Sequence, residues 1–406
     1  MNYRFLIRWD WGLTLGLLAL WGLGLLALSS AVQPMGGAGH HILLRQMGAG
    51  AIGMIFLALC VFLPPRILER WSPVFFALAI LLLIAVLLRG ELSHGARRWI
   101  SIAGIRFQPS EPAKIAMILT LASFLSHRRK RWDRIWPWLQ GLLIIIVPTL
   151  LVLRQPDLGT ASVFPVIGIG MMLIAGMPIM LFFLLLSPFV TTLTALYWPL
   201  AALWIGGSSY TLLRRRISLL AVILYLLVQI GIAFSAHEAI SHLEPYQKAR
   251  LNAFVNPEKD PQGAGYQVRQ SKIAIGSGEW TGWGYGKGPL KELLYLPRQH
   301  TDFIFSVVGE EGGFLATSCI LLLSGLLIFR GGQVTRRARD PFVGATAAGV
   351  SLFYFYHTAV NISVTVGLLP VTGLPMPFFS SGGSFLISCM AAAGLLLGMS
   401  FRKLEY

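Results

Sequence analysis

Charge is what this sequence has least of. Only 12% of its 406 residues are charged, and just 17 are acidic, against roughly a quarter charged in an ordinary soluble protein. Together with a hydrophobic content of 55%, that scarcity excludes a soluble globular enzyme and a disordered chain. Cysteine is nearly absent as well. Cys60, Cys319 and Cys389 lie inside apolar runs, with no spacing for a disulfide framework or a zinc site, so they read as packing residues. There is no internal repeat, heptad pattern or low-complexity tract. The glycines of Gly276-Ser277-Gly278 and of Gly282, Gly284, Gly286 and Gly288 follow neither a phosphate-loop nor a dinucleotide pattern. They read as a flexible or tightly packed loop, and Trp280, Trp283 and Tyr285 among them suit a membrane interface. No Ser-His-Asp arrangement or zinc-protease motif is present.

What the chain does have is long apolar runs. A helix crossing a bilayer needs ~20 predominantly apolar residues. The runs 11–31, 44–63, 73–88, 112–126, 136–153, 159–175, 217–235, 303–329, 343–366 and 384–400 read as spans. The first is longer than the core of a cleaved signal peptide and reads as an uncleaved span. The stretch 177–207 is apolar but interrupted by Pro188 and Pro199. The net charge of +16 reads as topology rather than nucleic-acid binding, because short cytoplasmic loops collect Lys and Arg. Basic clusters stand at Arg66/Arg70, Arg128–Arg131 with Arg134, Arg214–Arg216, Arg330 with Arg336, Arg337 and Arg339, and Arg402/Lys403. They share one side with the N-terminus if 177–207 crosses twice as a helical hairpin. The expectation is therefore an all-α polytopic integral membrane protein with 10–12 transmembrane helices. It forms one membrane domain over 1–406, with both termini cytoplasmic and a large extracytoplasmic loop at 236–302.

Four polar places interrupt the apolar runs, and in hydrocarbon an ionisable side chain costs at least ~2.5–3.5 kcal/mol at a span centre. The first is Arg97-Arg98-Trp99 with the following Gln108-Pro109-Ser110-Glu111-Pro112-Ala113-Lys114. Ser110 can cap a helix, Pro112 suits its first turn, and Glu111 and Lys114 share a face. This is either a capped helix start with a neutralised pair or a polar site at the membrane rim. The second is Arg154-Gln155-Pro156-Asp157-Leu158-Gly159-Thr160, which is either a simple cap by Asp157 or a broken helix lining a cavity. The third runs from Leu296 to Phe305 through His300 and Asp302, with Glu310 and Glu311 two turns on. Asp302 can cap the helix that follows. One helix cannot turn His300, Asp302 and Glu310 toward one metal ion. The fourth is Pro370–Ser384, whose three prolines and three glycines forbid a continuous helix. It is either an extracellular turn or a buried, re-entrant Pro/Gly segment. Cations (Arg97, Arg98, Lys114, Lys272) with carboxylates (Glu111, Asp157, Asp302) suggest an outward-facing cavity for an anionic, partly lipidic ligand.

The same blocks carry a resemblance. "GARRWISIAGIRFQPSEPAKI" at 95–115, "QPDLGT" at 155–160, "YQKARLNAFVNPEKDPQGAGYQVRQSKIAIGSG" at 246–278, "LPRQHTDFIFSVVGEE" at 296–311 and "NISVTVGLLPVTGLPMPFFSSGGS" at 361–384 resemble the SEDS family (shape, elongation, division and sporulation), in the family's order. The Pro370–Pro375 block is similar to its rod-shape elongation branch. The resemblance implies a peptidoglycan glycosyltransferase of the bacterial inner membrane. It would polymerise lipid II into β-1,4 glycan strands and release undecaprenyl pyrophosphate, with a class B penicillin-binding protein as transpeptidase partner. It places the catalytic aspartate on Asp302 and puts Glu111, Lys114 and Asp157 in the site. Two departures touch ligand contact: Ser381 stands where the family usually has an aromatic residue, and Glu279 ends the glycine run. The segment between "QPDLGT" and "YQKAR" is also longer than usual.

The implied reaction needs a base for the attacking hydroxyl and positive charge for the pyrophosphate. Asp302 fits the base. Arg98, Lys114 and Lys272 fit the clamp, with Glu111 orienting Lys114. No cofactor is evident. A divalent cation (Mg or Mn) suits the pyrophosphate, but the sequence offers no convincing ligand set. The competing function is a lipid II flippase, in which broken helices and buried charges form a translocation path.

Overall fold

The computed structural model describes residues 9–93, 96–102, 105–127, 135–195, 197–241, 254, 263–296 and 298–403. The side chain of Arg97, the basic cluster at 128–134 and most of the stretch 242–262 lie outside the described residues. Twelve helices of sixteen residues or more are present among the described residues: α1 Trp11–Val32, α2 Gly37–Phe62, α3 Pro65–Arg89, α4 Ser110–His127, α5 Ile135–Leu153, α6 Leu158–Ile174, α7 Ile179–Thr194, α8 Trp198–Arg214, α9 Leu219–Ser241, α12 Ile304–Arg337, α13 Pro341–Thr365 and α14 Gly383–Arg402. Two shorter ones, α10 Ala264–Ser277 and α11 Pro289–Glu292, precede α12. Among the described residues, six helices are long and apolar enough to cross a membrane by length and composition alone. Ile55, Leu59, Leu78, Leu81 and Leu88 point outward from α2 and α3, as a lipid-facing surface requires.

Within the span read as one membrane domain, the backbone packs as two compact units, Met1–Ala175 with Asn252–Tyr406, and Gly176–Leu251. The smaller holds the hairpin read at 177–207, now resolved as α7 and α8, together with α9. Three of its buried polar side chains pair with one another: Gln229 Nε2 donates to Ser187 Oγ at 2.6 Å, and Thr191 Oγ1 donates to Gln229 Oε1. The larger unit is centred on α14, which is almost entirely buried. At the basic end, Arg402 donates to the carbonyls of Val61, Phe62 and Leu63, supplying donors that the last turn of α2 lacks. Asp10 caps α1 and also meets Arg330 and Ser400.

Two features depart from the all-helix expectation. Three strands form an antiparallel sheet, β1 Glu91–Ser93, β2 Ala96–Ile102 and β3 Ile105–Phe107, in the order β1-β2-β3. Ile100 pairs with Phe107 and Ser101 with Arg106. The second departure is in α12, which breaks at Gly313 (φ 59°). The glycine-rich loop fills the break. Trp283 N and Gly284 N donate to the carbonyls of Glu310 and Glu311, while Phe314 N and Leu315 N donate to those of Glu279 and Trp280. Gly282 is needed there twice over: its φ is +74°, and a Cβ would collide with the Glu311 carbonyl. The loop is thus the tightly packed one of the two alternatives.

Candidate active site

The Pro/Gly stretch comes first, because it organises the rest. Prolines deny it helical hydrogen bonds, so its peptide groups need partners from elsewhere. Neighbouring helices supply them. Asn361 Nδ2 on α13 donates to Leu374 O at 2.9 Å, and His357 Nδ1, one turn earlier, lies 3.2 Å from Pro375 O. Gln46 on α2 serves both sides of Ser381. Its Nε2 donates to Ser380 O at 3.1 Å, and its Oε1 accepts from Gly382 N at 3.0 Å. Leu374, Met376, Phe378, Phe379 and Ser380 are all buried. The segment is packed among helices, not an open turn.

This segment in turn holds Asp302. Three successive carbonyls ahead of α12 are each bonded. Ser381 N donates to His300 O at 2.8 Å, Ser380 Oγ to Thr301 O at 2.6 Å, and Asn361 Nδ2 to Asp302 O at 3.0 Å. Each such bond contributes only about 1 kcal/mol net, but three in a row fix the main chain. Asp302 itself is partly exposed. Because α12 starts at Ile304 with Phe303 in the cap position, Asp302 stands one residue upstream of the cap expected of it. Burial, and secondarily Arg298, hold the His300 imidazole below its ordinary pKa.

Asp157 is a cap and more. Its carboxylate accepts from Thr160 N at 3.1 Å and Thr160 Oγ1 at 3.0 Å. Arg98 Nε reaches the same carboxylate at 3.5 Å, and its guanidinium donates to Pro156 O. Arg98 is carried there by β2. The start of α6 presses on the Pro/Gly segment, since a Cβ on Gly159 would collide with Thr372 O. At the other end of the sheet, Gln108 N donates to Ser384 Oγ at 3.1 Å.

Glu111 and Lys114 form a closed pair. The helix begins at Ser110, which is therefore its first residue and not its cap. Lys114 Nζ lies 2.9 and 2.8 Å from the two oxygens of Glu111, and both side chains are buried. His357 Nε2 is 3.3 Å from the same ammonium. Since Nδ1 of that ring faces a carbonyl, Nδ1 carries the proton and Nε2 accepts from Lys114. The rings of Phe353 and Phe385 cover the ammonium at 5.5 and 5.4 Å, close enough for cation–π attraction. No face of Lys114 is left open.

The remaining expected residues lie further out. Lys272 on α10 is exposed, its side chain resting on Gly367. Its neighbour Ser271 is buried, donating to Thr365 O at 2.6 Å and pairing with Ser306 Oγ at 2.6 Å. Ser381 is partly exposed. Glu310 and Glu311 belong to a separate cluster. Glu310 accepts from Leu290 N (2.7 Å) and Lys291 N (3.2 Å). Buried Lys291 meets Glu311 at 2.7 Å and Ser30 at 3.0 Å. Among the described residues no group of three His, Cys, Asp or Glu side chains is placed to hold a metal ion.

Sequence reading missed Gln46, Lys291 and His357 and named no role for Asn361. A signal existed for two of them: His357 and Asn361 are polar, four apart, and so share one face of an apolar helix. The four blocks singled out in the sequence are all joined by these contacts.

Residues 11–221 and 211–404 match the family described as cell cycle protein, which groups FtsW, RodA and SpoVE. The chain is 36% identical to the peptidoglycan glycosyltransferase MrdB of Escherichia coli K12, over 88% of this chain and 85% of that one. It is 34% identical to the peptidoglycan glycosyltransferase RodA of Treponema pallidum, over the whole of both. Its structure is similar to a chain solved in work on the coordination of polymerization and crosslinking by a peptidoglycan synthase complex. The TM-score is 0.72 with 28% identity, covering 98% of this chain and 99% of that one.

Proposed function

The chain belongs to the family of FtsW, RodA and SpoVE and is a membrane-embedded peptidoglycan glycosyltransferase, and on that premise we propose which residues run its reaction. The observation that carries the proposal is the triple clamp on His300, Thr301 and Asp302. These bonds satisfy main-chain carbonyls that have no helical partner, and the same bonds hold the residue bearing the carboxylate in one place.

Asp302 is the general base. It takes the proton from the 4-hydroxyl of the acceptor sugar of lipid II as that oxygen attacks the anomeric carbon of the donor. The donor's bond to its lipid pyrophosphate breaks, and the α-linkage inverts to β-1,4. A pyrophosphate leaves without protonation, so the other requirement is positive charge. Arg98, held at the Asp157 turn, and exposed Lys272 supply it. Lys114 is enclosed, so it acts from behind: with Glu111 and His357 it fixes α4 against α13 and the Pro/Gly segment. Ser381, whose amide holds His300, lies at the same edge, where its small side chain leaves room for the ligand. Magnesium or manganese, where used, would be bound mainly by the pyrophosphate itself. The partner is a class B penicillin-binding protein that crosslinks the strands, and both termini are cytoplasmic.

The test is purified protein with labelled lipid II in detergent, products sized on a gel. Detergent removes any need to flip the lipid, so glycan ladders are expected. Undiminished lipid II after prolonged incubation would contradict the proposal.

A further inference from the structure

Asn361 is buried, with 1% of its surface exposed, and its amide is committed in an unusual way. Nδ2 donates both of its hydrogens to main-chain carbonyls, Asp302 at 3.0 Å and Leu374 at 2.9 Å. Two carbonyl acceptors on one atom fix which end is nitrogen. One side chain thus joins the segment carrying the base to the Pro/Gly segment. The other end, Oδ1, is buried and finds no donor among the described residues. A structural amide is expected to have both ends satisfied, because a buried unpaired acceptor costs about 1–3 kcal/mol. His300 Nδ1 and Thr372 Oγ1, on the two segments that Asn361 joins, are also buried without a partner among the described residues. The three atoms belong to α13 and to the two segments that Asn361 joins.

We propose that Asn361 is a positioning residue for the glycosyl transfer, setting the place of the Asp302 carboxylate by holding the Asp302 main chain to Leu374. The inference rests on Asp302 being the base. Its consequence is that loss of the amide should disturb the chemical step while leaving substrate binding alone. A displacement of the order of 1 Å at a reacting group costs roughly 10²-fold in rate.

The experiment uses full-length protein in detergent with labelled lipid II, comparing wild type with Asn361→Ala, Asn361→Asp and Asp302→Asn across a range of pH. Asn361→Ala should lower kcat by about 10²-fold with KM unchanged, by the same factor at every pH. Asn361→Asp has a distinct signature. A carboxyl buried between two carbonyls is protonated at low pH and can still donate to one of them. Ionised, it can donate to neither, and its charge repels both. The activity of Asn361→Asp relative to wild type should therefore fall as pH rises, whereas the Asn361→Ala ratio stays flat. If both variants lose activity only in proportion to lowered melting temperature, with no divergence in pH profile, Asn361 is structural and the inference is overturned. Full kcat in Asn361→Ala overturns it too. Asp302→Asn separates the two claims: if that variant stays active, the base assignment has failed, whatever Asn361 does.

Discussion

Lys114 shows how far a single residue's chemistry can be read in advance. Its cost in an apolar helix marks it as functional or paired, and Glu111 three residues away supplies the partner. What the spacing could not reveal is the lid of Phe353, Phe385 and His357, which comes from α13 and α14. With that lid, the ammonium is enclosed, which fits a strut better than an open phosphate clamp. Lys114→Met would leave the Glu111 carboxyl buried and uncompensated, which costs about 3–5 kcal/mol. Melting in detergent should show a large drop for Lys114→Met and a much smaller one for Glu111→Gln/Lys114→Met. Equal melting of wild type and Lys114→Met would mean that the pair is not buried as described. Gln46 was harder to read. A neutral amide in an apolar run gives a weak signal, and its partners, Ser380 and Gly382, lie far along the chain.

Elements follow the same division. Helices could be placed from the apolar runs because the bilayer sets their length, and the α7–α8 hairpin from charge parity. The sheet at 91–107 was missed although its signal is local: Ile100, Ile102, Ile105 and Phe107 alternate around Ala103-Gly104, a hairpin pattern. The break in α12 has no comparable local signal. Gly312-Gly313 sits in a run that reads as one helix, and the groups that repair the break come from Glu279–Gly284, upstream in sequence. That repair gives a sharp prediction. Gly282→Ala would strain a positive φ and strike the Glu311 carbonyl, costing at least about 1–2 kcal/mol for the backbone alone. Limited proteolysis should cut the 279–288 loop faster in Gly282→Ala than in wild type. Equal cutting rates would show that the loop does not depend on the close approach.

At the scale of the molecule, apolar helices carry a polar site built from segments far apart in sequence. Its orientation can be checked with an impermeant thiol reagent on intact cells, in a variant lacking Cys60, Cys319 and Cys389. Exposed positions serve as the probes, Arg216 and Trp280 among them. A cysteine at Arg216 should be protected and one at Trp280 labelled. Labelling at both would put the Arg214–Arg216 cluster outside and remove one crossing of the hairpin. At the centre of this site stands Asp302 as the proposed base. General base catalysis contributes typically ~10²–10⁴-fold, so purified Asp302→Asn should lose polymerisation of lipid II by that range while melting like wild type, because the main-chain clamp does not involve the altered side chain. Long glycan strands made by folded Asp302→Asn at near wild-type rate would contradict it.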